Sequence, residues 1–169
     1  GSDMPFCLKG GRQFCFGRGE RLEQLESKNS SLAVLLVKDP LVSVSTPWAY
    51  QRYRDINQSK YMKTELEFEQ KRESLRKKEF FLIDSSNDSW ILNNDLQRVV
   101  EKENEAVQKS LELLQALPGH LSVSMSGSGP SCFALYADLD EASSVLAQNQ
   151  SRIQKAGLEA WCCPFRSNG

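Results

Sequence analysis

The longest apolar run in the chain is Leu32 to Val37, six aliphatic residues followed by Asp39-Pro40. Its shortness and that stop signal predict a buried strand rather than a helix. Phe14 to Phe16, set between Gly10-Gly11 and Gly17-Arg18-Gly19, reads as a short strand bounded by turn glycines. Ser45-Thr46-Pro47 supplies a hydroxyl to cap a helix and a proline to open it, so a helix is expected there, with Thr46 as the cap and Trp48, Ala49 and Tyr50 in its first turns. From Lys60 to Phe81 the sequence is helix-prone, with Glu67 and Lys71, and Glu73 and Lys77, at the spacing that supports a solvated helix. Its apolar stripe is thin. Ser85 to Ser89 is a loop, and Leu92 to Leu117 reads as one helix with Leu96, Val99, Val100, Val107, Leu111 and Leu114 on its buried side, ended by Pro118-Gly119.

Leu121 to Met125 alternates apolar residues with serine, Ser126 to Pro130 is a tight glycine turn, and Cys132 to Tyr136 is the returning strand of a hairpin. Asp138 to Gln154 predicts an amphipathic helix closed near Gly157, and Leu158 to Cys163 a last strand. The order from Leu32 onward is strand, helices, strand, strand, helix, strand. That is an α+β chain of ferredoxin-like order with extra helices in its first crossover, and right-handed crossovers place the helices on one face of the sheet.

Composition narrows the partners. Lysine and arginine total 21 against 22 aspartates and glutamates, which leaves no basic excess for a nucleic acid or an anionic lipid surface. No apolar run approaches the ~20 residues of a spanning helix. The five cysteines, Cys7, Cys15, Cys132, Cys162 and Cys163, lack paired metal spacing, and are expected as reduced thiols in a cytosolic or plastid-like compartment. The opening Gly1-Ser2-Asp3-Met4-Pro5-Phe6 resembles neither a signal peptide nor a natural N-terminus, so sequence upstream is expected.

Candidate chemistry is sparse residue by residue. Ser126-Gly127-Ser128-Gly129 lets the backbone turn at positive φ and bring amides near an anion. A plain hairpin turn explains it equally. Asp3, between small residues and a proline, is either a general base or a turn cap. His120, the single histidine, reads as a loop residue. Trp48 and Tyr50 are either core aromatics or a stacking platform.

Taken in order, these segments carry a resemblance. Gly1 to Phe6, Gly10-Gly11, Gly17-Arg18-Gly19-Glu20, Leu32 to Val37, Ser43 to Pro47 with Ala49-Tyr50, Asn94-Asp95-Leu96 and Met125 to Pro130 together resemble the GHMP superfamily of small-molecule kinases. The Gly-Arg-Gly-Glu and Ser-Thr-Pro segments point to its branch acting on a cytidine-diphosphate-linked sugar alcohol. The resemblance implies ATP-dependent phosphorylation of the 2-hydroxyl of 4-diphosphocytidyl-2-C-methyl-D-erythritol, in the methylerythritol phosphate route to isoprenoid precursors. It implies Asp3 as catalytic base, Tyr50 and Thr46 as substrate-binding residues, and Ser126, Gly127, Ser128 and Gly129 as the loop near the phosphates. ATP and Mg²⁺ are the implied cofactors, and no residue here is assigned to the metal.

The superfamily's phosphate loop, a proline followed by a Gly-Leu-Gly-Ser-Ser-Ala-type segment, has no counterpart in this sequence. Residues 1–28 are accordingly read as the tail of a nucleotide-binding domain and 29–169 as the C-terminal domain. A chain with the base but without the ATP cradle is expected to be inert alone. A kinase of another GHMP branch and a non-enzymatic ferredoxin-like binding module remain as alternatives.

Overall fold

A computed structural model describes residues 3–25, 31–78 and 92–164. Its core is a four-stranded antiparallel sheet of β3 (Ala33–Lys38), β4 (Ser122–Met125), β5 (Cys132–Tyr136) and β6 (Glu159–Pro164), in the order β4-β5-β3-β6. With two helical crossovers, that order is the ferredoxin-like topology expected from the sequence.

Register explains which face is buried. Ala33, Leu35 and Val37 lie opposite Tyr136, Ala134 and Cys132, so all six side chains share one face, and each is fully enclosed. Onto that face pack α5 (Glu105–Gln115), through Val107, Leu111 and Leu114, and α6 (Leu139–Lys155), through Ala142, Val145 and Ile153. α6 starts where Asp138 accepts a hydrogen bond from the Glu141 amide at 2.8 Å. Gly157, at φ 77°, lets the chain leave the helix and enter β6.

Two helical expectations change. The span from Leu92 to Leu117 is two helices, α4 (Gln97–Glu103) and α5, separated at Asn104. Asn104 adopts an extended conformation, φ −134° and ψ 104°, and its side chain accepts from the Val107 amide at 3.1 Å. An asparagine that can cap competes with helix continuation, and here the cap wins. The charged helix also starts later than its composition suggests. After α2 (Thr46–Asn57) and a short 3₁₀ turn, α3 covers Glu65–Lys78. Its entry is a capping box in which Glu67 N–H donates to Thr64 Oγ1 at 3.3 Å and Thr64 N–H donates to Glu67 Oε2 at 2.9 Å. The amides of Lys63 and then Thr64 hold the Glu67 carboxyl below its usual range, so Glu67 serves the cap. Glu73 and Lys77 do approach, at 3.9 Å.

Residues 3–25 carry α1 (Met4–Lys9) and a second, two-stranded sheet of β1 (Gln13–Phe16) and β2 (Arg21–Gln24). β2 was not foreseen, because Arg21-Leu22-Glu23-Gln24 has one apolar position and no alternation. At the turn, the Glu20 carboxylate accepts from the Arg18 amide at 2.6 Å, and its own amide and that of Arg18 keep it well ionised. Arg76 of α3 ties this hairpin down, with a forked bond to Glu23 at 2.8 and 2.5 Å and its guanidinium 5.5 Å over the Phe16 ring. The loop expected at Ser85 to Ser89 lies outside the described residues.

Candidate active site

α2 begins one residue earlier than the sequence suggests, and that shift decides what Thr46 does. Ser45 is the cap, its hydroxyl accepting from the Trp48 amide at 3.4 Å, and Thr46 and Pro47 form the first turn. Relieved of capping, Thr46 Oγ1 sits 2.7 Å from Ser128 Oγ, joining the helix start to the glycine loop across 82 positions of sequence. The two aromatics of this turn divide. Trp48 is half-buried against the core, whereas Tyr50 is 59% exposed.

Between the N-terminus of α2, the approach to α4 and the β4–β5 turn lies an open cleft of about 890 Å³. Asp3, Thr46, Tyr50, Ser126, Gly127, Ser128 and Gly129 all line it. These are the seven positions singled out from the sequence. Asp3 begins α1, but its carboxylate makes no cap bond to that helix, so the turn-capping alternative is not realised. His120 lies elsewhere, donating from Nδ1 to the Leu117 carbonyl at 2.8 Å.

The glycine loop is shaped by its backbone. Gly127 at φ 56° and Gly129 at φ 83° occupy the left-handed region. At Gly129 a Cβ would also sit 2.9 Å from Met125 Sδ, so both conformation and space demand glycine there. Ser126 N–H donates to the Ser131 carbonyl at 2.8 Å and Gly129 N–H to the Ser126 carbonyl at 2.9 Å. The amides of Gly127 and Ser128 find no partner among the described residues. Two such donors in a glycine turn suit an anion.

Sequence reasoning missed Tyr53, which also lines the cleft. Burial first, then the nearby Asp95 charge, pushes its pKa up. The available signal was its spacing, three positions after Tyr50 and so on the same helical face. Asp3 and Asp95 are the charged residues of the lining, and Asn94 bonds to the carbonyls of Met125 and Gly127. The cleft thus combines two carboxylates, two tyrosine rings and two unpaired amides, an arrangement able to take a proton, stack a flat ring and hold an anion.

Residues 82–155 match the family of GHMP kinase C-terminal domains, and the chain carries such a domain. It is 56% identical, across all 169 residues, to 4-diphosphocytidyl-2-C-methyl-D-erythritol kinase of Prochlorococcus marinus strain MIT 9303, covering 53% of that protein. To the kinase of the same name from Synechococcus sp. strain CC9902 it is 53% identical across the same residues, covering 55%. The chain therefore spans about half the length of the curated relatives it matches. Among solved structures, a crystal structure of 4-(cytidine 5'-diphospho)-2C-methyl-D-erythritol kinase superposes with a TM-score of 0.64 at 22% identity, over 98% of this chain and 55% of that one. Homoserine kinase from Cytophaga hutchinsonii gives 0.57 at 19%, over 97% and 51%. These two share the fold. Among the described residues, no helix is long and apolar enough to cross a membrane.

Proposed function

We propose that this chain forms the acceptor-side half of a cytoplasmic kinase that transfers the γ-phosphoryl group of ATP to the 2-hydroxyl of 4-diphosphocytidyl-2-C-methyl-D-erythritol, a step toward isoprenoid precursors. In that reading residues 1–28 close the nucleotide-binding domain and 29–169 form the second domain. The observation that carries it is the likeness at 56% identity along the whole chain to a kinase named for this substrate. The convergence of Asp3, Tyr50 and the glycine loop on one cleft supports it.

The donor supplies the transferable phosphoryl group, and this chain's residues contribute by position and charge. Asp3 accepts the proton of the attacking hydroxyl. The exposed ring of Tyr50 stacks against the cytosine base, and the N–H groups of Gly127 and Ser128 donate to phosphate oxygens, where fixed dipoles meet negative charge without reorganising. That pair of unpaired amides is the feature of this chain that fits a nucleotide phosphate. Among the described residues, no group of three or more His, Cys, Asp or Glu is placed to hold a metal ion, and no step is routed through one.

The test is Asp3→Asn in the full-length gene product carrying this chain. Turnover of the cytidine-bearing substrate should fall by roughly 10²-fold or more while its KM changes little, as expected when a positioned base is lost. Retention of most of the turnover would remove Asp3 from the chemistry.

A further inference from the structure

Three hydrogen bonds meet on the Asn94 side chain. Its Nδ2 donates to the carbonyls of Met125 and Gly127, each at 2.8 Å, while its Oδ1 accepts from the Leu96 amide at 3.0 Å. One turn further on, Gln97 Oε1 accepts from Met125 N–H at 2.8 Å and from Ser124 Oγ at 3.2 Å. β4 is an edge strand, so its outward backbone groups have no neighbouring strand. The two side chains occupy the place of one. Gln97 serves the strand end, and Asn94 is the one that reaches into the loop.

Packing does not fix the loop tip, since nothing lies within 4 Å of the position a Cβ would take on Gly127. A glycine at φ 56° with open space around it can reorient its following peptide cheaply. That peptide is planar and trans, so the Gly127 carbonyl and the Ser128 N–H point in opposite directions and turn together. Fixing one fixes the other. The preceding grip works in the same way: Asn94 holds the Met125 carbonyl, and the Ser126 N–H of the same peptide points back across the hairpin to the Ser131 carbonyl at 2.8 Å.

We propose that Asn94 is the positioning residue of the glycine loop: by gripping the Gly127 carbonyl it selects the peptide orientation that leaves the Ser128 N–H turned outward as an anion donor. The proposal rests on the kinase reading only for what the anion is, a nucleotide phosphate. Loop order is independent of that reading.

Two variants test it. Asn94→Asp keeps the acceptor for the Leu96 amide and replaces the donor by a carboxylate facing two carbonyls, whereas Asn94→Ala removes both functions. In either variant of this chain, the ¹⁵N order parameters of Gly127 and Ser128 should fall from about 0.85 to below about 0.6, while those of Leu35 and Ala134 in the central strands stay high. In the full-length gene product, the KM for ATP should rise about tenfold with kcat within about threefold, a split that loss of folded protein would not produce. Loop amides that remain rigid in both variants would overturn the proposal whatever the kinetics. Loosened amides in a protein whose wild type shows no ATP-dependent turnover would uphold the clamp and sink the kinase reading instead.

Discussion

Replacing Tyr50 by alanine separates a binding role from a packing role, because the two predict changes in different quantities. The ring is 59% exposed on the first turns of α2. A fully enclosed aromatic side chain buries on the order of 200 Å², so about 80 Å² of Tyr50 is in contact with protein. At ~25 cal/mol per Å² its loss costs at most about 2 kcal/mol. Alanine returns up to about 0.5 kcal/mol through its higher helix propensity. The net is about 1 kcal/mol, or roughly 2–4 °C in Tm for a chain of this length. A core ring would instead cost about 3–5 kcal/mol. If the exposed face stacks on cytosine, the same substitution weakens binding of the cytidine-bearing substrate by about 1–3 kcal/mol, the range for base stacking on an aromatic. That is roughly five- to 150-fold in Kd. Calorimetric titration of the full-length protein and a thermal melt of this chain read the two numbers. Tyr50→Phe should restore affinity, since stacking needs the ring and not the hydroxyl. Unchanged affinity in the alanine variant, with a Tm lowered by ten degrees or so, would refute the stacking role.

Two further expectations follow from the geometry. Gly127→Ala meets only the strain of a positive φ, about 1–2 kcal/mol, whereas Gly129→Ala adds a Cβ 2.9 Å from Met125 Sδ. The second should therefore lower Tm by at least twice as much as the first, and equal shifts would show that Met125 moves aside freely. Among the cysteines, exposed Cys7, Cys15 and Cys163 should react with iodoacetamide in the native chain at pH 8, as mass spectrometry would show. Cys132, whose thiol burial pushes up to about 12, should react only after unfolding. The same burial makes the fold sensitive to alkali. The unfolded chain loses the Cys132 proton from about pH 9 and the Tyr136 proton from about pH 10, while the folded chain keeps both to about 12. Stability is thus full below about pH 9 and declines as pH rises toward 12, and a flat Tm from pH 8 to 11 would contradict it.

What the sequence made legible is what one-dimensional patterns encode. The aliphatic run at Leu32 to Val37, the alternation in Leu121 to Met125 and the amphipathic span after Asp138 each lie within a residue or two of their elements, because burial on one face imposes a period. The break at Asn104 was missed for the same reason. Val100 and Val107 lie seven positions apart, so the apolar period continues across a cap that interrupts the hydrogen bonds. Asn104-Glu105 ahead of an apolar run was the signal, and it is weaker than the stripe surrounding it.

The site divides along a similar line. Glycines at positive φ and a serine-threonine-proline helix start are visible because a backbone conformation restricts which residue can stand there. Asn94 leaves no such trace. It works through its side chain on the backbone of residues more than 30 positions away, and the carbonyls of Met125 and Gly127 that it holds belong to every amino acid alike. Thr46 is intermediate. Its type suggested a cap, yet Ser45 takes the cap and frees the Thr46 hydroxyl for Ser128. A one-residue shift in a helix start, beyond the resolution of any sequence pattern, converts a structural hydroxyl into part of the cleft. The residues that set the loop's conformation are therefore readable from sequence, while those that hold the loop in place emerge only once strand, helix and turn are assembled.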